Sequence, residues 1–201
     1  MSRLLLWRHG RTAWNHERRF QGQTDVALDE TGVREAIEAA RRLAVREPKL
    51  IISSDLSRAK QTAQALVDLT GLPLQLDPRL RERHFGSWEG LTPPEIQERY
   101  PEDYAHYAQG GVGMRLHLPD IEPVEAMTAR VRAALHDAAE QAGEGGVAVL
   151  VTHGGSARVG VGSLLGWPEE AWPTLGALGN CRVSELSWTA VRGWQLLAHN
   201  V

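Results

Sequence analysis

The chain has 201 residues, 42% of them apolar and 23% charged, with a formal net charge of −3 and a single cysteine, Cys181. That length suits one well-buried domain, and the mild acidity argues against nucleic acid or an anionic membrane surface as a partner. One cysteine leaves no internal disulfide framework, which fits a reducing cytoplasm, and a packed or half-exposed thiol is a better reading of Cys181 than a catalyst.

Leu4 to Trp7 is an uninterrupted apolar run. It is too short for the apolar region of a signal peptide (about 7–15 residues) or for a spanning helix (about 20), so no membrane segment is expected. It reads as a strand covered on both faces, and it ends in Arg8-His9-Gly10. A polar, turn-rich stretch, QGQTDVALDETG, precedes VREAIEAARRLAVRE (33–47). There Val33, Ile37, Ala40, Leu43 and Ala44 recur at helical spacing behind an Asp29 or Thr31 cap. KLIISS (49–54) predicts a second buried strand. DLSRAKQTAQALVDLTG predicts a second helix, capped by Ser54 or Asp55 and closed by Gly71, and LPLQL (72–76) a third strand.

DPRLRERHFGSWEG (77–90) has no clean period and reads as a loop. TPPEIQERY then opens with a capping box, Thr92 as N-cap with Glu95 three residues on. Residues 100–122, rich in Gly, Tyr, His and Pro, read as irregular. The segment of about 91–122 is thus expected to be a lid-like insertion within a single domain spanning 1–201. A third long helix is predicted over 123–142. The apolar stretch GGVAVLVTHGG (145–155) carries the strongest strand signal and again ends in His-Gly. A helix near 156–165 and strands near 182–188 and 193–199 complete the chain. Alternating strands and helices predict a three-layer α/β/α sandwich around a mostly parallel sheet, whose ligands bind beyond the carboxyl ends of the strands. Arg8-His9-Gly10 and His153-Gly154 both lie there.

An arginine beside a histidine at that edge suits a phosphate dianion. The guanidinium grips oxygens in pairs, while its charge keeps the imidazole neutral and nucleophilic. Alone, RHG occurs by chance, and a strand-end histidine satisfied by one hydrogen bond is the plain alternative. Three further pieces strengthen the set. Arg58 sits on the first turn of a helix after a buried strand. Glu82 lies in the 77–90 loop between Arg81 and Arg83, and His153 ends the strongest strand. Nucleophile, charge clamp and proton donor are the requirements of phosphoryl transfer.

RHGRTAWN, QGQTDVALDETG, SSDLSRAKQTA, LRERHFGSWEG and LVTHGG, in this order, resemble the motifs of the histidine phosphatase (phosphoglycerate mutase-like) superfamily. The resemblance implies His9 as the nucleophile forming a phosphohistidine. It further implies Arg8, Arg58 and His153 as holders of the phosphoryl oxygens, and Glu82 as the acid and then the base for water. Asn15, Gln21, Gly22 and Gly154 would be substrate-pocket contacts, with Thr12 a weaker one. It implies no cofactor and no metal, and the chain carries no HExxH or paired-cysteine spacing.

Many members carry a GGES-like turn where this chain has PDIEPVEA (119–126), so only Glu122 can correspond. The interval from Glu82 to His153 is short, which favours a phosphatase over a mutase. The closing WPTLGALGNCRVSELSW resembles phosphatases of phosphoglycerate esters, glucosyl-3-phosphoglycerate among them. The partner implied is a small phosphorylated metabolite. Mutase-type phosphoryl transfer, or binding or dephosphorylation of a phosphoprotein, is the alternative. Tyr100, Tyr104, Tyr107, His106 and Met114 would wall the leaving group or simply pack on the sheet edge. Arg11, Arg18 and Arg19 could favour a carboxylated substrate. Trp167 and Trp172 mark either a homodimer contact or core packing.

Overall fold

Leu4, Leu5, Leu6 and Trp7 are all buried because the strand they form runs through the middle of a sheet. Leu4 and Leu6 enter the core on one face, Leu5 and Trp7 the core on the other, as strand alternation requires. Full burial of each such side chain contributes about 1.5–3 kcal/mol. The computed structural model describes residues 2–110 and 120–201.

The strand is β1 (Ser2–Arg8), followed by a single helical turn, α1 (Ala13–His16). Helix α2 (Glu30–Ala44) starts where Asp29 accepts a hydrogen bond from the Gly32 N–H. Its core face is Gly32, Ala36, Ala39, Ala40 and Leu43, rotated from the predicted stripe, so Val33 and Ile37 are 45% and 43% exposed. Backbone contact sets this roll: a Cβ on Gly10 would lie 2.5 Å from the Gly32 carbonyl oxygen. Only two glycines allow the loop after β1 to sit that close to the helix.

Strand β2 (Leu50–Ser53) leads into α3 (Ser57–Thr70). Neither Ser54 nor Asp55 caps this helix. Asp25, from the QGQTD stretch, accepts from both the backbone N–H and the hydroxyl of Ser57 at 2.7 Å, while Asp55 pairs with Arg81. Gly71 closes α3 in the left-handed conformation, as predicted. Strand β3 (Leu74–Leu76) follows. The predicted loop 77–90 holds two short 3-10 turns, at 78–80 and 86–88.

Helix α4 (Pro93–Arg99) carries the predicted Thr92–Glu95 capping box. The reading of 100–122 as irregular is corrected by α5 (Pro101–Gly110). Tyr100, Tyr104 and Tyr107 recur at helical spacing there and pack with Phe20, Phe85 and Trp88 in a separate aromatic cluster. Residues 111–119, with Met114, lie outside the described residues.

Helix α6 (Val124–Ala142), β4 (Val147–Thr152), α7 (Gly154–Leu164), β5 (Val183–Thr189) and β6 (Gly193–Ala198) complete the chain, close to their predicted positions. The sheet order is β3-β2-β4-β1-β5-β6. The first four are parallel, while β5 and β6 run antiparallel at one edge. Helices α6 and α7 cover one face and α2 and α3 the other, giving the predicted three-layer α/β/α sandwich. Trp172 belongs to the core, whereas Trp167 is exposed. Among the described residues no helix is long and apolar enough to cross a membrane.

Candidate active site

Strands β1 and β4 are neighbours, with Arg8 paired to Thr152, so His9 and His153 leave the sheet at the same level. Their rings lie 5.1 Å apart, both buried at the edge where the two strands end. The His9 Nδ1–H donates to the Gly10 carbonyl at 2.7 Å. A carbonyl only accepts, so this bond fixes the proton on Nδ1 and leaves the Nε2 lone pair free. The ring is held from behind as well. The His9 carbonyl accepts from the Asn180 side chain at 3.0 Å, and the Gly10 N–H donates to the Thr62 hydroxyl.

His153 has both nitrogens engaged. The Arg58 Nε–H donates to Nδ1 at 3.3 Å, and Nε2 lies 2.9 Å from the Ser54 hydroxyl, so its proton sits on Nε2. Burial, and then the charges of Arg58 and Arg8, hold the His9 imidazole well below the ordinary histidine range. Burial and Arg58 do the same to His153. Both rings are neutral at neutral pH.

Arg58 is fully buried, and its two NH2 groups donate to the carbonyls of Thr24 and Gly22 at 2.9 and 2.7 Å. Burial brings its pKa to about 10, so it remains charged at neutral pH. These bonds explain why the QGQTD stretch must fold back over α3: its carbonyls aim the guanidinium. Gly22 needs a positive φ of 50° to present its carbonyl there. Arg8 donates one NH2 group to the Leu178 carbonyl at 2.6 Å, while its Nε is buried with no hydrogen-bond partner.

Glu82 closes the site from the loop after β3. Its carboxylate accepts from the backbone N–H groups of Gly155, Ser156 and Arg83 at 2.9, 3.2 and 2.9 Å. Two of these donors form the first turn of α7, where a helix favours negative charge. Arg130 of α6 fastens the loop from behind. It donates to the carbonyls of Arg79, Arg81 and Glu82 and pairs with Glu122 at 2.7 Å. Glu122 therefore braces the Glu82 loop and does not line the cavity.

All nine residues expected from the sequence line one cavity of about 340 Å³: Arg8, His9, Asn15, Gln21, Gly22, Arg58, Glu82, His153 and Gly154. Thr12 does not line it. Instead it caps α1 with Asn15 and donates to Gln21, orienting both. Of the flanking arginines, Arg11 pairs with Asp29 and Arg81 with Asp55. Sequence reasoning missed Arg158 in α7, the cavity walls Phe20 and Phe85, and Asn180 behind His9. Asn180 stood within the quoted GNC turn, and Arg158 five positions beyond His153, so both lay beside recognised motifs. Of the residues that could wall the site or merely pack, Tyr107 lines the cavity, whereas Tyr100, Tyr104 and His106 do not, and Tyr100 and Tyr104 pack in the aromatic cluster. Among the described residues, no three His, Cys, Asp or Glu side chains gather as metal ligands.

Comparison with known proteins places these features in context. Residues 4–201 match the Histidine phosphatase superfamily (branch 1). The chain is 38% identical to glucosyl-3-phosphoglycerate phosphatase of Mycolicibacterium vanbaalenii, over 95% of this chain and 84% of the relative. It is equally similar, 38% over 96% and 90%, to a probable phosphoglycerate mutase, GpmB, of Yersinia pestis. In three dimensions it superimposes on a mycobacterial glucosyl-3-phosphoglycerate phosphatase complexed with VO3, with a TM-score of 0.90, 36% identity and full coverage of both chains.

Proposed function

The chain belongs to the histidine phosphatase superfamily, and from that premise we propose that it hydrolyses a phosphomonoester of the phosphoglycerate class through a phosphohistidine at His9. The observation that carries this reading is the Nε2 lone pair of His9, freed by the Gly10 carbonyl, beside His153 and two guanidinium groups.

Arg8 and Arg58 bind the phosphoryl oxygens and draw off the charge that builds in the transition state. His9 Nε2 attacks phosphorus, and the bond from phosphorus to the ester oxygen breaks. The Glu82 carboxyl, close to the leaving group, delivers a proton to that oxygen and the alcohol departs. Glu82, now a carboxylate, takes a proton from water, whose oxygen attacks the phosphohistidine. Inorganic phosphate forms and His9 is restored. Asn15, Gln21, Gly22 and Gly154 shape the pocket around the transferred group. Phe20, Phe85 and Tyr107 face the alcohol portion, which suits an organic ester better than a bare phosphate.

The substrate class comes from the relatives, glucosyl-3-phosphoglycerate phosphatases at 38% identity. The cytoplasm is the compartment that a phosphorylated metabolite and a single thiol suggest. Of the two tryptophans that marked either a homodimer contact or core packing, exposed Trp167 is the one that could serve a contact. The probable mutase among the relatives supports a second reading, transfer of the phosphoryl group to a second hydroxyl instead of to water.

Turnover of p-nitrophenyl phosphate by wild type and His9→Ala tests the nucleophile. A panel including glucosyl-3-phosphoglycerate and 3-phosphoglycerate, followed by phosphorus NMR, separates release of inorganic phosphate from isomerisation. A wild-type enzyme that releases no phosphate from any ester would remove the hydrolase reading.

A further inference from the structure

Among the described residues six arginines line the cavity, Arg8, Arg18, Arg19, Arg58, Arg83 and Arg158, against one carboxylate, Glu82. The proposed chemistry uses Arg8 and Arg58. Arg19 is committed to Glu17, Glu95 and the Gly90 carbonyl, and Arg83 gives its Nε to the Glu122 carbonyl. Arg18 is exposed at the rim.

Arg158 is different. Its Nε is buried with no hydrogen-bond partner, a state shared among the described guanidinium nitrogens only by the Arg8 Nε. Buried charged donors are almost always paired, so a cavity-lining guanidinium whose Nε has no partner is not spent on the fold and can turn its remaining N–H groups to a ligand. The phosphoryl group answers for Arg8 and leaves Arg158 unexplained.

Its place in the fold says where its acceptor lies. Gly154 and Arg158 are four residues apart on α7 and share the face that lines the cavity. Arg158 therefore stands about 6 Å along the helix from the end that receives Glu82 and follows His153. Tyr107 adds an aromatic wall to the same cavity.

We propose that Arg158 is a specificity-determining residue that binds the carboxylate of a phosphoglycerate-type ester, while Arg8 and Arg58 hold its phosphoryl group. This rests on the reading of the site as a phosphatase of such esters. A planar guanidinium grips a carboxylate through two parallel N–H bonds, a match that a neutral hydroxymethyl group does not provide.

Two probes with the same skeleton isolate the effect: 3-phosphoglycerate, and glycerol 3-phosphate, which has a hydroxymethyl group in place of the carboxylate. Wild type prefers the first in kcat/KM. In Arg158→Met that preference falls by about 10- to 100-fold, the range for hydrogen bonds to charged groups, and Arg158→Lys recovers part of it. No preference in wild type, an unchanged preference in Arg158→Met, or a parallel loss on both substrates overturns the assignment. Calorimetric binding of the same two ligands to the same proteins measures the preference without turnover. If wild type binds with the preference but hydrolyses neither ester, the phosphatase reading fails and the carboxylate site stands.

Discussion

His9 and His153 leave two hydrogen-bonded parallel strands one residue beyond the Arg8–Thr152 pair, and their rings lie 5.1 Å apart. The spacing of the two imidazoles is therefore set by the sheet itself. Adjacent strands keep their separation through backbone hydrogen bonds, so the pair is preorganised before any ligand arrives.

Among the described residues Glu82 is the one carboxylate lining the cavity. Glu82→Gln keeps the shape but removes the titratable proton. Turnover of an alkyl phosphate should fall about 10²–10⁴-fold, the usual worth of general acid catalysis, with phosphate binding retained. Undiminished turnover in steady-state assays would show that the proton comes from elsewhere.

Gly155 tests the placement of that carboxyl. A Cβ at position 155 would stand 2.5 Å from the Glu82 Oε1, so Gly155→Ala drives the side chain off the first turn of α7. A displacement near 1 Å costs about 100-fold, and kcat is expected to fall on that scale while the thermal midpoint moves little. If kcat survives while the thermal midpoint drops, the glycine serves packing instead.

Arg130 has a structural part in the same arrangement. It holds three loop carbonyls and the Glu122 carboxylate. Arg130→Met should cost about 2–4 kcal/mol in urea unfolding, because the Glu122 charge loses its partner and the carbonyls lose their donor. It should also lower kcat through a displaced Glu82. Full stability with full activity would mean that the loop keeps its conformation unaided.

Stability should carry the signature of the two neutral histidines. Both are held well below 6.5 in the folded protein, chiefly by burial. As pH falls below 6.5, the unfolded chain takes up protons that the native state refuses, so stability declines. The slope is about 1.4 kcal/mol per pH unit for each histidine until the native rings titrate, and this source of loss vanishes above about pH 7.5. Asp29, Asp55 and Glu89, whose carboxyls lie below their ordinary values of 3.8, 3.8 and 4.5, lose their contribution only at lower pH. The interval from pH 6.5 to 5 thus isolates the histidines. Denaturant titrations of wild type and His153→Gln should show the slope there roughly halved in the variant; equal slopes would contradict the assignment.

Much of this architecture is legible in the residues. Strands β1 and β4 declare themselves as apolar runs that stop at His-Gly, and Arg58 follows a buried strand where an anion site belongs. What escapes is long-range. Asp25 caps a helix that begins 32 residues later, so nothing local to Ser57 marks its partner. The roll of α2 depends on Gly32 meeting Gly10, which no periodicity count registers. Helix α5 hides because tyrosine at helical spacing also occurs in loops, and the rings it packs against, Phe20, Phe85 and Trp88, are distant in sequence. Arg158 resembles any solvated arginine until the cavity is built around it.

The aromatic cluster beneath α5 is separate from the two cores that sandwich the sheet. The groups proposed to break the phosphorus bond are anchored in the sandwich, whereas Phe20, Phe85 and Tyr107, proposed to face the alcohol, belong to a module with its own apolar foundation. Exchanging α4 and α5 between relatives would thus retune which alcohols are accepted without redesigning the reaction centre, a modularity open to both natural drift and laboratory engineering.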